Sequence, residues 1–181
     1  MQTVPDLSNP RFSLFLDFLL GSKVASPPGI LRPVYPDDSQ LLAVPVKLQP
    51  EFQIGQCWFN CIEHWLIYGG QVVYGWLFWE VNQVYYVAQH HAVWRSPQGG
   101  LTDLTPNAIG ATEVYFMPDD RAPFDVENLK AAMNLEWTSN ELYAWVAGNN
   151  RSSEFKIMEM VATDPITIDR IAKIRAKLNL T

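Results

Sequence analysis

The sequence predicts an α+β domain in which one helix packs on an antiparallel sheet, and three observations predict it. Residues 57–68 run for three turns without a helix breaker and stop at Gly69-Gly70, where glycine is the usual residue beyond a helix end. Residues 71–80 and 84–94 are rich in β-branched and aromatic side chains and flank Asn82-Gln83, the pattern of two strands joined by a turn. The 181-residue chain is 48% apolar and 18% charged, which supplies a buried core and lies outside the composition of disordered chains.

The remaining elements follow in chain order. Residues 10–20 carry Phe12, Phe15, Leu16 and Leu19 at helical spacing, so a short packing helix is expected. Between 21 and 50, Pro27, Pro28, Pro33, Pro36, Pro45 and Pro50 exclude a regular helix and limit strands to short pieces such as 41–48. The apolar residues of the same stretch (Ile30, Leu31, Val34, Tyr35) mark it as a wrap over the core rather than a free linker. A third strand is expected from Leu101, after the turn at 96–100. Beyond Pro118 a polar break at Asp119, Asp120, Arg121 and Pro123 precedes a helical pattern expected over 125–147. A last amphipathic helix is expected after Asp164-Pro165, with Ile168, Ile171, Ala172 and Leu178 on its buried stripe and Arg170, Lys173 and Lys177 outside it. The chain thus divides into a core with a proline-rich wrap, 1–118, and a helical extension, 119–181, packed on it.

Charge and cysteine count narrow the function. Thirteen Lys and Arg against nineteen Asp and Glu give a net charge of −6, which argues against nucleic acid or an anionic membrane as partner. No window reaches the eighteen or so apolar residues of a membrane-spanning helix, and the apolar run 12–20 lacks the basic flank and small-residue cleavage site of a secretory signal. Two cysteines cannot form an extracellular disulfide framework. A cytoplasmic, reducing location is expected.

Cys57 falls at the first turn of its predicted helix, where unpaired N–H groups and the positive end of the helix dipole favour the nucleophilic thiolate. His91 lies in the second strand and Asp103 in the third. If those strands pair, nucleophile, base and a group orienting the base are available in the order Cys, His, Asp. Side chains alternate along a strand, so His90 and His91 face opposite ways, and which face meets the helix stays open. The backbone N–H of Cys57, with an amide from Gln53 or Gln56, is a candidate oxyanion hole. Aromatic side chains between 58 and 94, Trp58 and Trp94 among them, are expected mostly in the core, with some walling a substrate cleft. A rival reading places zinc on Cys57, Cys61, His64 and a strand histidine. Three ligands on one helix would span about 10 Å at a rise of about 1.5 Å per residue, too far for one ion. Cys61 reads as core or pocket wall.

The segment Gly55-Gln56-Cys57-Trp58 resembles the nucleophile motif of the transglutaminase-like superfamily, a branch of the papain-like fold. His91-Ala92-Val93-Trp94 and Gly100-Leu101-Thr102-Asp103-Leu104-Thr105 resemble the family's histidine strand and Asp-x-Thr strand, and Gly69-Gly70 to Gly75 its helix-to-strand link. The resemblance covers about residues 52–106. It differs in the histidine strand, where Trp94 stands three positions after His91 and the family places tryptophan two after. The resemblance implies a papain-like core with Cys57 as nucleophile, His91 as general base and acid, and Asp103 as orienter. The function it implies is hydrolysis of an amide or acyl transfer to an amine, through an acyl-enzyme thioester, on a peptide, protein or other amide substrate and without a cofactor. A non-catalytic binding or effector-like module on the same fold is the alternative.

Overall fold

The computed structural model describes residues 1–20, 41–121, 124–139 and 157–180. Its element order is β1 (Gln2–Thr3), α1 (Pro10–Leu20), β2 (Leu42–Pro45), α2 (Cys57–Tyr68), β3 (Gln71–Val81), β4 (Tyr85–Arg95), β5 (Leu101–Thr102), β6 (Glu113–Pro118), β7 (Lys130–Ala132), β8 (Leu135–Trp137), β9 (Ile157–Glu159) and α3 (Pro165–Lys177). The mixed helix and sheet character and the antiparallel sheet are therefore as expected; the proline-rich stretch 21–40 lies outside the described residues.

The β3–β4 hairpin organises the molecule. Asn82 and Gln83 both take left-handed backbone angles, φ 52° and 56°, and the Val84 N–H closes the turn on the Val81 carbonyl at 2.9 Å. That turn type matches the twist of the strands it joins. The hairpin then pairs without interruption from Val81↔Tyr85 to Gln71↔Arg95. On the far edge of β3, β6 pairs at 75–77 and β1 at 80–81, and β2 continues beyond β6. The first contact requires Gly75, because a Cβ there would sit 2.1 Å from the Met117 carbonyl oxygen.

The sheet curls until its two ends meet. Val46, just after β2, bridges Asp103, just after β5. The Asp103 N–H donates to the Pro45 carbonyl at 3.0 Å, and the Lys47 N–H to the Asp103 carbonyl at 2.8 Å. The inner face holds Val44, Val73, Leu77, Trp79, Val93, Val114 and Phe116. Against the opposite face α1 packs Phe12, Phe15 and Leu19 on Trp76, Phe78 and Tyr86. Phe15 meets Tyr86 face to face at 5.7 Å and Phe78 edge-on at 5.9 Å, two favourable ring geometries. Much of the aromatic excess is spent here, in the core.

The region after Pro118 departs from expectation. In place of a helix from 125, Leu129 takes φ 54°, which ends any helix. The chain then forms β7, which pairs with β9 in a separate two-stranded sheet, and β8, which joins the main sheet through Tyr86↔Trp137 to Ala88↔Leu135. The remainder of the expected helix, 140–147, lies outside the described residues. The last helix forms as expected, with Asp164 accepting from the Thr167 N–H at 2.8 Å and Pro165 at its first turn. Its buried stripe is Thr167, Ile171 and Ile174, while Ile168 and Ala172 are exposed. The stripe is rotated because α2 offers Phe59 and Ile62 as its packing partners.

Truncating a fully buried ring both removes transfer free energy and leaves a cavity. Phe15→Ala should lower unfolding stability by about 3–5 kcal/mol, whereas Leu14→Ala, on the exposed side of α1, should change it by less than about 0.5 kcal/mol. Urea unfolding of both variants checks this.

Candidate active site

The outer edge of β4 explains how the site forms. In an antiparallel strand alternate residues turn their N–H and C=O groups outward. Here these are Tyr86 and Ala88, which pair with β8, and Trp94, which pairs with β5. Between them, no strand among the described residues pairs with the edge. The His90 N–H donates instead to the Asn134 side-chain oxygen at 3.0 Å, and the Cys61 thiol donates to the Ala92 carbonyl at 3.3 Å. Helix α2 thus fills the gap in the sheet edge, and the N-terminal end of that helix carries Cys57.

Cys57, His91 and Asp103 are all buried and line one cavity of about 140 Å³. His91 Nε2 lies 3.1 Å from Asp103 Oδ1, an ion-pair contact without in-line hydrogen-bond geometry. Burial pulls the imidazole pKa down, but the Asp103 carboxylate and then Cys57 outweigh it and hold His91 well above its ordinary 6.5. Asp103 Oδ1 also accepts the Thr105 N–H at 2.8 Å. Turn cap and imidazole partner are therefore the same carboxylate.

A polar chain braces this turn from behind. Buried Asn60 donates to Thr105 Oγ1 and to the Gln53 carbonyl, each at 3.1 Å. Its own oxygen accepts from Arg170 of α3 at 2.8 Å, and Arg170 pairs with Glu63 at 2.6 Å. Arg170, expected outside the packed face of its helix, is instead an internal strut between α3 and α2. Every hydrogen-bonding group of Asn60 finds a partner, as a buried amide requires.

The other expected site residues lie elsewhere. Gln56 donates its amide to Thr167 of α3 at 3.3 Å, and the exposed Gln53 contributes its backbone carbonyl to Asn60. Trp58 stacks on Phe124 at 4.8 Å and lies 5.5 Å from the His90 ring. Trp94 donates its indole N–H to the Gly69 carbonyl at 2.9 Å. None of these four lines the cavity. His90 points to the aromatic face of the sheet, toward Trp58, Tyr74 and Trp76. The zinc set is not gathered either: the Cys61 thiol is bonded to Ala92, and His64 packs against Tyr68, Trp94 and Phe52. Among the described residues no three metal-ligating side chains converge, and no helix is long and apolar enough to cross a membrane.

Sequence reasoning missed Leu77, Trp79 and Gln89, which wall the cavity on the inner sheet face. The register Leu77↔Gln89 beside Gly75↔His91 places them one step along the same face as the histidine, a signal that strand parity contains once the pairing is known. Ile54, Pro106 and Asn107 close the loop side. Comparison of the chain with protein-family models, with curated proteins and with solved structures finds no match in any of the three.

The His91 shift has a measurable sign. A group whose pKa folding raises binds its proton more tightly in the folded chain, so its contribution is complete below the unfolded imidazole value and is lost as pH rises through the folded value. Between pH 6 and 9 the wild-type chain should lose stability relative to His91→Gln, read as the difference in urea midpoints at each pH.

Proposed function

We propose that the chain is a cysteine enzyme of transglutaminase-like, papain-related type, which cleaves an amide or transfers its acyl group to an amine in a reducing, cytoplasmic setting. The observation that carries this reading is the shared cavity of a helix N-terminal cysteine and a histidine set 3.1 Å from a buried carboxylate. Cys57 donates its proton to His91 and its sulfur attacks the substrate carbonyl carbon. His91, held as imidazolium by Asp103, protonates the leaving amine, and an acyl thioester forms on Cys57. Water or a second amine, losing its proton to His91, then resolves the thioester. Asp103 raises the basicity of the imidazole and fixes its orientation, the role a buried carboxylate plays in such triads.

The two thiols supply an internal control. Cys61 is one helical turn from Cys57, yet burial, then Cys57 and Asp103, push its pKa well above the ordinary value, so it stays a neutral donor to Ala92. Iodoacetamide at pH 7 should label Cys57 at least about tenfold faster than Cys61, and His91→Ala should slow the Cys57 rate by about tenfold or more. Peptide mapping of the alkylated chain reads both rates. Equal labelling of the two cysteines, or labelling of Cys57 that is indifferent to His91, would leave a binding module as the better reading.

A further inference from the structure

Resting on that reading, we infer that Gln89 supplies the side-chain donor of the oxyanion hole. Gln89 is two residues before His91 on the same face of β4, so its side chain stands beside the imidazole, and it lines the cavity that holds Cys57. Its orientation is fixed by chemistry. The indole N–H of buried Trp79 bonds the Gln89 side-chain oxygen at 2.7 Å, and an indole nitrogen only donates. The oxygen of Gln89 is therefore taken by Trp79 and its NH₂ is left to donate.

The second donor is the Cys57 N–H. Gln56 caps α2 without a side-chain hydrogen bond, and the first N–H groups of a helix have no partner within it. One donor thus comes from the helix that fills the sheet edge and one from the strand it docks against. Among the described residues, the cavity wall around Cys57, His91 and Asp103 is made of apolar side chains such as Leu77 and Trp79, the amides of Gln2, Gln89 and Asn107, and Thr105.

The test separates a reaction that builds an oxyanion from one that does not. With p-nitrophenyl acetate, Cys57 sulfur forms a bond to the carbonyl carbon while the π pair moves onto oxygen. Collapse of that intermediate restores the carbonyl, breaks the carbon–oxygen bond and releases p-nitrophenolate, leaving acetyl-Cys57. Iodoacetamide alkylates the same sulfur by displacing iodide, with no oxyanion. Gln89→Met, or Gln89→Leu as a second uncharged variant, should slow acetylation by about 10²-fold while alkylation stays within about threefold of wild type, which also reports that the site remains folded. Acetylation unchanged in a variant that alkylates normally would overturn the role of Gln89 and leave the proposed function standing. A wild-type chain that alkylates at Cys57 but forms no acetyl-Cys57 would overturn both.

Discussion

The backbone of β4 has one stretch of outer edge that no strand among the described residues covers, and the candidate site depends on how that stretch is satisfied. Buried backbone groups must find partners, and here a cysteine thiol and an asparagine side chain provide them. Helix α2 packs Trp58 and Cys61 with Val72, Tyr74, Ala92 and Trp94 on one face of the sheet, and Cys57 at its start lines the cavity on the other side. Trp58 reaches the aromatic face beside His90, and Cys57 reaches the inner cavity beside His91. The adjacent histidines thereby acquire different surroundings, His90 on the face that packs against α2 and His91 in the cavity with Cys57.

The curl of the sheet adds the third residue. Asp103 is pinned through its backbone to 45–47, so the strand order brings its carboxylate to the inner face where His91 already points. A buried carboxylate is costly unless charged and polar groups answer it. The Thr105 N–H and the imidazolium do so from two sides, and the chain Arg170, Asn60, Thr105 keeps the turn from relaxing away. That chain begins on α3, so the C-terminal helix is structurally continuous with the site.

Much of this was legible from sequence where the signal is local. The α2 run with its glycine stop, the Asn82-Gln83 turn and the Asp164-Pro165 helix start are encoded within a few residues, and their boundaries fall within one or two positions of expectation. Cys57, His91 and Asp103 were legible as candidates for the same reason: each sits at a strand or helix position, or just beyond one, readable from spacing. The segment 125–139 was not, because Glu, Leu, Lys, Ala and Met carry helical propensity, while the open edge at Tyr86 and Ala88 rewards an extended partner. Tertiary pairing wins over propensity there. The Gln53 and Gln56 assignment failed for a related reason, since proximity in sequence to Cys57 does not determine direction in space, and Thr167, more than a hundred residues on, draws the Gln56 amide away.

The cavity also explains why the catalytic reading hangs on a pair rather than on any one residue. Where Cys57, His91 and Asp103 are buried, electrostatic interactions act at low effective dielectric. A lone thiolate there would be disfavoured by desolvation, as Cys61 shows one turn away, where burial keeps the thiol protonated. Cys57 differs in sharing its cavity with His91, which the Asp103 carboxylate holds well above its ordinary pKa. The proposed nucleophile therefore depends on the closed sheet, because the β2 to β5 bridge fixes the Asp103 that faces His91.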